Sequence, residues 1–419
     1  MNPDYPEINV NRATLANGLR LVHHYDGSTA MVALNVLYNT GARDESPEMT
    51  GLAHLFEHLM FGGSANVQNF DSILTAAGGV SNAWTGNDYT NFYEVAPAHN
   101  AETLFYLESD RMLSPSISED TLEIQRSVVI EEFKQQCLNR PYGDMSHHLR
   151  QAVYGPSGHP YAWPVIGKNF EHLERVTRRD VIDWWTANYS PSNAVLAVSG
   201  NISFERTKEL ADKWFGSIPD RPVVPRNLPA VADMLATPPV EVSGALPATA
   251  VTVAWLMDGY GTSAYTAADA ITDILGAGRA SRFYRSLVMN PDSLFTEADA
   301  SIIGSEDRGM LMLNGRLKSE SIDALHAVDV LKSTAAGLLE TPISDHELTR
   351  LKNRQTSMFV ISNMDYLSRA QTIAMAEMHG ETPGCQLKRY LSLSPDEITK
   401  TARAIMQSNP AVLIYRPQQ

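Results

Sequence analysis

His54, Glu57 and His58 stand in the run Gly51-Leu-Ala-His-Leu-Phe-Glu-His-Leu-Met60 at a spacing suited to metal-assisted hydrolysis. Side chains four apart in an α-helix lie one above the other on one face, so His54 and His58 can reach a single ion. Glu57, three residues from His54, stands beside them. Zinc accepts imidazole nitrogen, lowers the pKa of its bound water toward ~7 and polarises carbonyls, and a neighbouring carboxylate can take the released proton. The competing interpretation is a core helix that happens to carry two histidines, so the rest of the chain must decide.

A catalytic zinc usually takes three protein ligands and keeps one position open, which requires a third donor from elsewhere. Leu122-Glu-Ile-Gln-Arg-Ser-Val-Val-Ile-Glu-Glu-Phe-Lys134 offers both Glu131 and Glu132. Cys137 and Cys385 are the only cysteines and lie in unrelated segments, which excludes a thiolate zinc site and suits a reducing compartment.

The elements that must position these residues follow a duplicated pattern. Val32-Ala-Leu-Asn-Val-Leu-Tyr38 predicts a strand leading into the histidine-bearing helix, and Val251-Thr-Val-Ala-Trp-Leu-Met257 predicts its counterpart half a chain later. The closing strands, Asn193-Ala-Val-Leu-Ala-Val198 and Pro410-Ala-Val-Leu-Ile-Tyr415, also match. Between the halves, Ile218-Pro-Asp-Arg-Pro-Val-Val-Pro225 continues to Pro229 and Pro238-Pro239 as an extended linker. The expected organisation is residues 1–220, a linker over 221–240, and residues 241–419. Each half is expected to be an α+β layer of helices on a mostly antiparallel sheet.

Composition limits the alternatives. A chain of 419 residues exceeds one ordinary core, and 43% hydrophobic with 19% charged residues is a globular balance. A net charge of −15 without a Lys/Arg cluster argues against nucleic acid. No apolar stretch reaches the ~18 residues of a membrane span. The opening Met1-Asn-Pro-Asp-Tyr-Pro-Glu7 lacks a basic region followed by an apolar one, so the expected location is cytoplasmic, or periplasmic if a leader has been removed. Gly276-Ala-Gly278 lacks the further glycine and acidic residue of a dinucleotide loop.

His-x-x-Glu-His is the signature of the inverzincin metallopeptidases. Together with Val128-Val129-Ile130-Glu131-Glu132, it gives the chain a resemblance to the pitrilysin and mitochondrial-processing-peptidase family. Leu15–Val22, Gly78–Thr85, Tyr89–Tyr93, His159–Tyr161, Val165–Gly167 and Tyr189–Gly200 extend that resemblance over most of the chain. The resemblance implies that His54, His58 and Glu132 hold one Zn2+ per chain, with Glu57 as base; Glu131, one position round the helix and so about 100° away, is expected to face solvent or to support the site from behind. The resemblance also implies two halves facing each other as a clamshell, and a peptide adding as a strand beside Asn82 and Ala83.

Two departures refine the expectation. Gln125 replaces a glutamate that many members carry two helical turns before the ligand glutamate, where it can still orient a ligand by hydrogen bonds. Active members generally place an Arg and a Tyr after the segment matching Ser281-Arg-Phe-Tyr-Arg-Ser-Leu287, where this chain has Val288 and Phe295. Neither side chain donates a hydrogen bond, and Arg285 is expected on the wrong side of its helix. Tyr265–Leu275 has no histidine, so the second half cannot repeat the metal site. The resemblance therefore implies a zinc endopeptidase whose homologous partner, lacking the zinc motif, supplies Arg and Tyr in a heterodimer. A non-catalytic structural subunit and a presequence-processing peptidase are the alternatives.

Overall fold

The computed structural model describes residues 7–223 and 225–418. Residues 1–6, part of the segment bearing on a leader, and position 224 of the linker lie outside it. The chain forms two compact α+β units.

The first unit contains β1 (Asn11–Thr14), β2 (Arg20–Tyr25), β3 (Met31–Tyr38), β4 (Val80–Thr85), β5 (Thr90–Pro97) and β6 (Ala194–Gly200) in the order β1-β2-β6-β3-β5-β4. The second contains β7 (Val240–Gly244), β8 (Ala250–Met257), β9 (Phe295–Ile303), β10 (Gly309–Leu317) and β11 (Ala411–Pro417) in the order β7-β11-β8-β10-β9. β2 runs parallel to β6 as β7 does to β11, and the other neighbouring pairs are antiparallel. Apart from β1, the two sheets share one topology, with β3 and β8 in equivalent positions.

The units are not contiguous in sequence, unlike the expected split at 220–240. The first gathers residues 1–133, 164–227 and 358–385, and the second 134–163, 228–357 and 386–419. Burial explains the exchange. In the first unit β3 is buried from Val32 to Tyr38 and needs cover on both faces. Helices Leu52–Leu59 and Ala101–Leu113 share one core with its Val32, Leu34 and Val36. On the other face, helix Tyr366–Met378 places Ile373 and Ala374 against Val22, Leu37 and Val195. In the second unit, helix Met145–Tyr154 places Leu149 and Val153 in one cluster with Ala254, Met312 and Leu413. Each sheet is thus completed by a helix from the other half of the sequence. Among the described residues no helix is long and apolar enough to cross a membrane.

Candidate metal centre

Helix Leu52–Leu59 divides its faces by the 3.6-residue period. Leu52, Leu55, Phe56 and Leu59 are buried at i, i+3, i+4 and i+7, leaving His54, Glu57 and His58 together on the other side. Each buried leucine or phenylalanine contributes ~1.5–3 kcal/mol, so the polar face is fixed by its opposite. The helix starts at Gly51, whose φ of 88° is left-handed and favours glycine. Glu45, itself buried, accepts the N–H groups of Gly51 at 3.1 Å and Ala53 at 2.8 Å, placing a carboxylate at the helix N-terminus.

Helix Glu119–Phe133 delivers the third residue. Leu122, Val129 and Phe133 are buried, and Glu132 projects toward the two imidazoles. Glu132 Oε2 lies 3.7 Å from His54 Nε2 and 3.5 Å from His58 Nε2. One donor atom from each residue falls within 4.8 Å of the others. Ligands ~2.1 Å from a tetrahedral centre stand roughly 3.4 Å apart, so this nitrogen–nitrogen–oxygen set fits zinc. Burial, followed by the His58 charge, lowers the His54 pKa to about 4, keeping its imidazole in the neutral, ligating form at ordinary pH. Among the described residues, the buried His54 Nδ1 has no hydrogen-bond partner. Glu131 is exposed.

Glu57 receives a hydrogen bond at Oε2 from the Thr85 hydroxyl at the end of β4. Burial holds the Glu57 carboxyl above its ordinary value; the Thr85 bond opposes that shift, and the Glu132 charge adds to it. Sequence reasoning missed Thr85 because its partner is distant in the chain. Its position at the end of the segment Ser81-Asn82-Ala83-Trp84 was the available signal.

β4 is an edge strand alternating between exposed and half-buried residues. Asn82 is exposed, and its Oδ1 accepts the Ala83 N–H at 2.8 Å. Gln125 is half-buried on helix Glu119–Phe133, two turns before Glu132. Several other histidines are engaged elsewhere: His23 with the Ile202 carbonyl, His172 with Thr50 and His379 with Tyr89. His148 meets Asp144 at 3.0 Å, His159 is buried, and His147 is half-buried.

The second unit carries different groups at the corresponding places. Helix Ser263–Gly276 follows β8 as Leu52–Leu59 follows β3, and its Asp273 receives Arg354 and Gln355 from helix Asp345–Ser362. Val288 is half-buried at the end of a π-helical turn, and Arg285 is exposed. Phe295 is fully buried in the core. It faces Gly315, where an added Cβ would stand 2.5 Å from the ring. Phe295 therefore packs within the core of the second unit.

Fold and cluster define a duplicated α+β protein with one metal-competent half. Residues 20–155 match the Insulinase (Peptidase family M16) description, and residues 175–355 match the Peptidase M16 inactive domain. The chain is 26% identical over 423 residues to the zinc protease PqqE of Helicobacter pylori, covering 96% of this chain and 91% of that protein. It is 30% identical over 210 residues to the probable mitochondrial-processing peptidase subunit beta of Schizosaccharomyces pombe, covering 49% of this chain and 44% of that one. The crystal structure of a protease from Helicobacter pylori has the same fold, with a TM-score of 0.91 at 24% identity over 98% of this chain and 100% of that chain. The chain belongs to peptidase family M16, the family of pitrilysin and the mitochondrial processing peptidases.

Proposed function

We propose that this chain is a zinc-dependent endopeptidase acting on peptides or unfolded segments, and that it works as the zinc-bearing subunit of a heterodimer. The convergence of His54 Nε2, His58 Nε2 and Glu132 Oε2 beside Glu57 carries this reading. His54, His58 and Glu132 would hold one zinc ion. When bound, zinc supplies Lewis acidity to a water and to the peptide carbonyl. Glu57 accepts the proton of the attacking water and returns it to the leaving amine, and its raised affinity for a proton suits both steps. The exposed edge of β4 offers backbone groups to an extended peptide, and the Asn82 side chain must release the Ala83 N–H for that amide to pair.

What the second unit lacks supports the heterodimer reading. Neither Val288 nor buried Phe295 supplies a hydrogen bond or charge to a developing oxyanion, and losing such a donor typically costs ~100 to 1,000-fold in turnover. A homologous subunit without the zinc motif would supply Arg and Tyr.

The test is turnover of an unstructured peptide by the chain alone, by its mixture with such a homologue, and by the same mixture carrying Glu57→Gln. The expected result is weak activity alone, strong activity in the mixture and none with Glu57→Gln. Full turnover by the isolated chain would contradict the heterodimer. Absence of turnover in every mixture would favour a structural subunit.

A further inference from the structure

The Thr85 hydroxyl reaches across from the sheet to the helix and donates to Glu57 Oε2. We propose that Thr85 is a positioning residue that fixes the carboxylate of the proposed base and ties it to the edge strand. The inference rests on the peptidase reading, in which Glu57 moves the proton.

A glutamate side chain has several rotatable bonds, and a freely rotating carboxylate would spend much of its time away from a reacting water. Threonine suits the opposite task because its branched Cβ restricts χ1, so its hydroxyl points in a fixed direction once the strand is fixed. By taking one oxygen, Thr85 leaves Oε1 for the proton. Among the described residues no hydrogen bond is made to Oε1.

Both ends of this bond are anchored by one loop. Ala42 N–H donates to the Gly86 carbonyl at 3.1 Å and Arg43 N–H to the Asn87 carbonyl at 2.9 Å. The Arg43 guanidinium meets Asp88 at 2.8 Å, so the turn following Thr85 is held to this loop. A few residues later, Glu45 caps the helix that carries Glu57. Gly41 makes the approach possible, since a Cβ there would stand 2.5 Å from the Gly86 oxygen. The loop therefore fixes the distance between hydroxyl donor and carboxylate acceptor from both sides. Thr85 also closes the strand proposed to receive the peptide, so peptide position and base position share one element.

The experiment compares Thr85→Val, Thr85→Ala and Thr85→Ser with wild type in the complete zinc-loaded complex, measuring zinc content, kcat and KM on an unstructured peptide. Crystal structures of each variant supply a readout independent of activity. The expected result for Val and Ala is unchanged zinc content, KM within about 2-fold, kcat lowered ~10 to 100-fold and a displaced Glu57 carboxylate. Ser, which keeps the donor, should restore most of kcat and the carboxylate position. The inference is overturned by unchanged kcat in Val and Ala, by failure of Ser to rescue, by loss of zinc, or by a Glu57 carboxylate that stays in place without the hydroxyl. If wild type shows no turnover, the peptidase reading fails on its own, and the crystallographic comparison still decides whether Thr85 holds Glu57.

Discussion

Glu45 Oε1 accepts the Ala53 N–H at 2.8 Å, so the helix carrying His54, Glu57 and His58 starts on a buried carboxylate. The neighbouring Gly51 N–H uses Oε2. Two charge-assisted hydrogen bonds and a favourable helix dipole all depend on this side chain. Glu45→Ala is expected to cost ~2–3 kcal/mol in denaturant unfolding and to weaken zinc retention, because the ligand-bearing turn loses its anchor. Glu45→Gln keeps one acceptor and should lose about half as much. An Ala variant as stable as wild type, with full zinc, would show that the cap is dispensable.

Asp269 gives the second unit a stability cost that depends on pH. Burial first, and then the Asp273 charge, raises its pKa to about 6, with Arg354 opposing. A carboxyl with an unfolded pKa near ~4 is protonated in both states below that value and imposes no ionisation cost there. As pH rises from about 4 to about 6 the unfolded chain ionises first, so stability falls by up to ~3 kcal/mol and then levels off. Asp269→Asn should therefore match wild type below pH ~4 and exceed it in stability above pH ~6. Denaturation midpoints across this range check the sign, and a variant less stable than wild type at pH 8 would contradict it.

Phe295→Tyr places a hydroxyl in the core beside Gly315 and β10. A buried hydroxyl without a partner costs ~1–3 kcal/mol, so the variant should unfold earlier without gaining peptidase activity. The double substitution Val288→Arg with Phe295→Tyr is expected to give partial rescue at most. Substantial self-sufficient turnover by the double variant would show that the second unit rearranges to present both groups.

The metal-binding spacing was legible because His54 and His58 are local to one helix, where periodicity alone puts them on one face. The strand pairs β3/β8 and β6/β11 were equally visible as repeated apolar runs. Glu132 could be chosen over Glu131 only through family resemblance, because spacing left both available. The exchange of residues 134–163 and 358–385 between units was hidden, since their apolar faces do not specify which sheet they cover. Thr85 and Glu45 escaped for a related reason. Their partners are fixed by the loop over residues 41–51 and the β4–β5 turn, which sequence shows only as turn residues.

His54, His58 and Glu132 are proposed to hold zinc while Glu57 serves as base. Quantitative metal analysis of wild type, His54→Ala, His58→Ala, Glu132→Ala, Glu131→Ala and Glu57→Gln tests this assignment most directly. About one zinc per chain is expected in wild type, Glu131→Ala and Glu57→Gln, with most of the metal lost from the other three variants. Zinc retained in Glu132→Ala but lost from Glu57→Gln would contradict it.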